Sequence, residues 1–121
     1  MNPDFVDLLR AFVEHDVRFL VVGAYALARH GRPRATGDLD VWVDATPENA
    51  PRVMRALAAF GAPMRDILTQ LTGITFAEAW PDRVAGPFGD LTVDFIGREA
   101  FIRNKRATGR ARDLGDVEDL D

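Results

Sequence analysis

Apolar positions recur along this chain with two periods, near 3.6 and near 2, and each switch between them marks a new element. In "PDFVDLLRAFVEHDV", Phe5, Leu8, Leu9, Phe12 and Val13 fall three and four residues apart, which predicts a helix ending near His15. From Arg18 to Val22 the run is continuously apolar and stops at Gly23, as a short buried strand would. The Ala and Leu content of "AYALARHG" predicts a short helix, with Gly31 at its C-cap and Pro33 beyond. Strict alternation returns in "TGDLDVWVD", the second strand. "TPENAPRVMRALAAFG" then reads as a helix, with Thr46 as N-cap, Pro47 in the first turn and Gly61 past its end.

Periodicity weakens after Gly61. "RDILTQL" reads as a third strand, and "TFAEAW" as a short helix in which Thr75 and Glu78 have the spacing of a capping box. "RVAGPFGDLTVDFIG" has the turn residues and flanking alternation of a hairpin, its second strand running from Leu91 to Ile96. A helix from about Glu99 to Thr108, a break at Gly109 and a helix carrying Leu114, Val117 and Leu120 complete the pattern. Helices and strands interleaved in this way imply an α/β or α+β fold with a short mixed sheet flanked by helices.

Length and composition narrow the function. A chain of 121 residues fits one domain, 1–121, with a single core. Without cysteine, disulfides and thiolate zinc sites are excluded, and a reducing cytoplasm is the expected location. The N-terminal stretch is acidic and amphipathic, and no apolar run approaches the roughly 18 residues of a membrane span, so a soluble, unexported protein without membrane contact is expected. A net charge of -4 argues against general nucleic-acid binding. The charge is uneven, however. Arg98, Arg103, Lys105, Arg106, Arg110 and Arg112 stand against Glu99 alone, a stretch able to meet a polyanion such as a nucleotide.

The candidate chemistry lies in "ATGDLDVWVD". Residues two apart in a strand share a face, so Asp38 and Asp40 would stand side by side and repel unless a positive charge sits between them. Upstream, Gly23 ends a strand where a helix begins, a junction at which backbone N–H groups can approach a phosphate. Two aspartates beside such a seat would hold magnesium against phosphate oxygens, and a third carboxylate normally completes the set. Plainer readings stand beside this one. The acids can be solubility devices on an edge strand, Asp44 a turn or capping residue, and His15 and His30 helix-end caps. Arg32 and Arg34 can be solvated charges or a phosphate clamp. The Lys105, Arg106 and Arg110 run can be a solvated helix face paired with Asp113 and Asp116.

Taken together, "VVGAYALARHGRPRATGDLDVWV", "DILTQLTGITFAEAW" and "FIRNKRATGRARDLGDVEDL" resemble the compact bacterial branch of the polymerase-beta-like nucleotidyltransferase superfamily, over nearly the whole chain. That branch includes minimal nucleotidyltransferases and the nucleotidyltransferase toxins of abortive-infection systems. The resemblance implies a nucleotidyltransferase-like fold, magnesium as cofactor, and transfer of a nucleoside monophosphate from a nucleoside triphosphate to a hydroxyl acceptor on a protein, an RNA or a small molecule. A toxin or antitoxin partner protein is implied as well. Asp38 and Asp40 would be catalytic metal ligands, with Asp66 as the third and Asp94 as its rival. Gly23, Ala24, Arg34, Thr36 and Lys105 would contact the nucleotide. Two departures stand out: Ala24 follows Gly23 where many relatives have a serine, and the passage from Gly61 to Asp66 is short. They motivate an alternative, an inactive nucleotidyltransferase-like binding or regulatory module.

Overall fold

A computed structural model describes residues 3–31, 38–61 and 67–120, the side chains of Arg112, Asp119 and Leu120 excepted. Helix α1 (Pro3–Glu14) leads into β1 (Phe19–Val22), α2 (Gly23–Arg29), β2 (Asp40–Val43), α3 (Ala50–Phe60) and β3 (Ile67–Leu68). Helix α4 (Phe76–Ala79) runs into a 3₁₀ turn at Trp80–Asp82, followed by the hairpin β4 (Val84–Phe88) and β5 (Leu91–Phe95), then α5 (Arg98–Thr108) and α6 (Ala111–Leu120).

The five strands form one mixed sheet in the order β3-β2-β1-β5-β4. β1 lies antiparallel to β2 and parallel to β5, so it is central, and all four of its residues are buried. That explains its unbroken apolar run: a strand covered on both faces has no polar side to show. Residues paired in register share a face. Phe19, Val21, Val41 and Val43 therefore line one side, where Phe12 of α1 meets Phe19 edge-on at 5.3 Å. Leu20, Val22, Asp40 and Trp42 line the other, where Trp42 meets Phe76 of α4 at 5.1 Å. On β1 and β2, Asp40 is thus the one acid on a face otherwise made of core residues, a face that Asp94 of β5 shares.

Most local signals have the expected outcome. Thr75 and Glu78 form the capping box: the Glu78 backbone N–H donates to the Thr75 hydroxyl, and the Thr75 N–H donates to the Glu78 carboxylate. Helix α5 ends at Gly109 in the left-handed conformation that closes a helix without a Cβ penalty. Two expectations need correction. Helix α3 starts at Ala50 rather than after Thr46, because residues 46–49 make a separate turn in which Thr46 Oγ1 accepts from the Asn49 N–H. On α6, Val117 is buried as its apolar spacing predicts, but Leu114 is 44% exposed while Asp113 and Asp116 are buried, so hydropathy alone does not orient that helix. Among the described residues, no helix is long and apolar enough to cross a membrane.

Candidate functional site

The site starts at the end of β1. Gly23 has φ +68°, and a carbon added to it would overlap the carboxylate of Asp40. Both facts demand glycine: the left-handed conformation strains a side chain, and the acid occupies the space a Cβ would need. Its neighbour Val22 pairs with Asp40 across the antiparallel ladder, which fixes that acid beside the turn. The sequence assigned Gly23 to phosphate approach. Its first role here is to make room for Asp40.

Asp40 is half-buried and opens β2, whereas Asp38 is exposed and precedes the strand, with Leu39 buried between them. The alternation expected of the pair persists even though the strand proper starts at Asp40. A cleft of about 250 Å³ opens on Asp40. Val22, Gly23 and Asp40 form its sheet side, residues 68 and 70–72 a second wall, and Asn104, Lys105, Thr108 and Arg110 a third. Four residues singled out from the sequence, Gly23, Asp40, Lys105 and Arg110, come together there from segments far apart in the chain. Ala24 sits half-buried in α2 and is not among the described walls of the cleft. Tyr25 packs against Phe5 and Phe88 instead. Asp66, Arg32, Arg34 and Thr36 lie outside the described residues.

The cationic wall is held from behind. Asp113, only 1% exposed, accepts from Arg110 Nε at 2.6 Å, Thr108 Oγ1 at 2.6 Å and Lys105 Nζ at 3.3 Å. The Arg110 hydrogen bond, followed by the Thr108 hydroxyl and the Lys105 charge, holds its carboxyl well below the ordinary carboxylate range against the opposing effect of burial. The pairing expected of Lys105 and Arg110 with Asp113 is therefore present, and both residues also line the cleft.

The second wall is built by residues of the "DILTQLT" stretch that were not singled out as site residues. Asn104 Nδ2 donates to the Thr72 carbonyl at 2.9 Å, and Gly73 packs so tightly on Ala107 that a side chain there would collide. These contacts fix the loop bearing Gln70 and Leu71 onto α5. Asn104 is buried, and its amide needs a partner because an unpaired one is costly inside a protein, a requirement that burial alone reveals.

The rival third acid, Asp94, is not among the described walls of this cleft, although it lies on the same face of the sheet as Asp40. Phe95 faces Val21 across β1 and β5, so Asp94 lies level with Leu20, two residues along β1 from Val22 and Asp40. Its carboxylate pairs with Arg83 at 3.5 Å. The histidines serve backbone carbonyls: His15 Nδ1 lies 2.9 Å from the Ala11 oxygen, as a helix-end residue should, and His30 Nε2 lies 2.8 Å from the Ile96 oxygen, tying α2 to the end of β5.

The donor set suits a hard cation. Asp40 offers carboxylate oxygens to the cleft, Asp38 stands two residues away in sequence and is not among the cleft's described walls, and magnesium prefers such oxygens together with phosphate and water. Among the described residues, no three His, Cys, Asp or Glu side chains are gathered as a complete ligand set. Comparison with protein-family models, with curated proteins and with solved structures gives no match.

Proposed function

We propose that this chain is a magnesium-dependent nucleotidyltransferase of polymerase-beta-like fold, transferring a nucleoside monophosphate from a nucleoside triphosphate to a hydroxyl acceptor. The observation that carries this reading is the cleft: an acid wedged against a strand-end glycine faces a lysine and an arginine across about 250 Å³. That volume falls below the roughly 300–1,000 Å³ of a complete ligand pocket, and no aromatic ring lines it among the described residues. Its described walls suit a triphosphate better than a base.

In this reading Asp40 and Asp38, with Asp66 as the third acid, hold the metal. Bound there, magnesium would neutralise phosphate charge and make the α-phosphorus more electrophilic. Lys105 and Arg110 take the outer phosphates, stabilising the charge that builds up on the departing pyrophosphate. The acceptor hydroxyl forms a new P–O bond at the α-phosphorus as the bond to pyrophosphate breaks, and its proton passes to a carboxylate, Asp66 by preference. Helix α2 has seven residues, too short to supply much dipole, so the cations carry the phosphate binding. A cytoplasmic location and a toxin or antitoxin partner belong to the same reading.

A second reading, a nucleotide-binding module without turnover, is favoured by Ala24, which offers no hydroxyl for a phosphate. One experiment separates them: titration of the chain with each nucleoside triphosphate, with and without magnesium, followed by assay of pyrophosphate release. Magnesium-dependent binding with release supports the transferase, and Asp40→Asn should then lower turnover by at least about 10³-fold, as loss of a metal ligand does, without lowering thermal stability. Binding without release supports the module. No binding to any triphosphate refutes both.

A further inference from the structure

Lys105 and Arg110 are long, flexible side chains, and an anion site built from them alone would lose much of its binding energy to ordering them. This chain has already ordered them. The left-handed Gly109 turns the chain sharply between α5 and α6, and the first turn of α6 folds Asp113 back against Lys105, Thr108 and Arg110. The Lys105 side chain is 15% exposed and that of Asp113 1%, whereas Arg110 is 71% exposed, so the carboxylate holds both cations from inside the wall and leaves one reaching outward.

We infer that Asp113 is a positioning residue of the cleft, fixing Lys105 and Arg110 in the orientation that receives phosphate and making α6 part of the anion-binding wall. The inference rests on the nucleotide reading for the identity of the anion. Asp113 touches no substrate in this account; it acts through the two cations. Its charge works against its role, because a carboxylate close to a phosphate site repels the ligand. That opposition gives the test a sign. If Asp113 mattered only as a charge, removing it would tighten anion binding. If it positions, removing it weakens binding even though the wall gains net positive charge.

The probe is inorganic tripolyphosphate with magnesium, which carries the phosphates without base or sugar, titrated calorimetrically into the full chain. Asp113→Asn should weaken binding about tenfold. Thr108→Val, which removes one donor to Asp113 and alters no charge, should weaken it about two- to threefold, and it carries the test if Asp113→Asn does not fold. In an Arg110→Ala background the loss from Asp113→Asn should shrink, since half of what Asp113 positions is gone. Tighter binding by Asp113→Asn overturns the inference, as does unchanged affinity with a lowered melting temperature, which would make Asp113 only a tie between helices. In both cases wild-type binding leaves the nucleotide reading standing. Wild-type protein that ignores tripolyphosphate overturns the two together.

Discussion

The β1–β2 pair has two ends, each beside a cleft lined in part by charged side chains, and similar residues are arranged differently at the two. At the start of β1, a hollow of about 190 Å³ is lined by Arg18, Asp44, Thr46, Glu48, Asn49 and Arg52. There the side chains serve the backbone. Asn49 is 3% exposed; its Oδ1 accepts from the Arg18 N–H at 2.7 Å, and its Nδ2 donates to the carbonyls of Arg18 at 3.0 Å and Asp44 at 2.7 Å. An amide used this way imitates one more residue of strand and closes the ladder. At the other end Gly23 removes its own side chain so that Asp40 can stand beside it, and the cations opposite are held by an acid behind them. One end satisfies the chain's own backbone, and the other, on the nucleotide reading proposed above, receives a ligand.

Substitutions at the two ends should therefore fail differently. Of the substitutions that compare the two ends, Gly23→Ala is expected to have the largest effect. Its methyl group must displace the Asp40 carboxylate, and a shift of about 1 Å in a catalytic group can cost about 10²-fold in rate. Stability should fall by only about 1–2 kcal/mol, the strain of a left-handed alanine. Chemical denaturation alongside turnover measures both. A variant that loses stability but turns over normally would show that the glycine serves the backbone alone, and the contrast between the ends would collapse.

Asn49→Leu should show the reverse. It strands two backbone carbonyls and one N–H, each costing about 1–3 kcal/mol when buried, so a total loss near 3 kcal/mol is expected after partial access of water. Activity per folded molecule should be unchanged. A fall in turnover without a fall in stability would mean that this end, too, contributes to function.

The two ends also differ in how legible they were. Gly23 and Asp40 could be found from sequence through local pattern: a glycine stopping an apolar run, and an acid two residues from another on one face of an alternating strand. Lys105 stood out through charge density. Asn49 breaks no pattern, since it sits among turn residues where Asn is ordinary, and only the fold reveals that its amide replaces a missing strand partner. The same blindness affected α6. Hydropathy pointed to Leu114, yet a carboxylate surrounded by three donors can be buried more completely than a leucine with no cavity to enter. The loop from Gln70 to Gly73 has no period to read, so the second wall of the cleft was invisible until α5 was seen beneath it.

The smallest predicted effect checks that loop wall from a distance. Helix α4 follows the loop directly, and its capping box is linked to α5 through Arg103 Nη1, 3.1 Å from Glu78 Oε2. Thr75→Ala removes the hydroxyl that caps the helix and should cost about 1 kcal/mol at neutral pH. The Thr75 backbone N–H, then its hydroxyl, then Arg103 hold the Glu78 carboxyl below its ordinary range. A carboxyl lowered on folding contributes stability above its unfolded pKa, near pH ~4, and loses that contribution as pH falls through its folded value. The gap between wild type and Thr75→Ala should therefore narrow in acid, because protonated Glu78 no longer rewards the hydroxyl. A gap that stays constant from pH 7 to pH 3 would mean that the Thr75 hydroxyl stabilises the helix only by accepting from the Glu78 N–H, with the carboxylate contributing nothing to it.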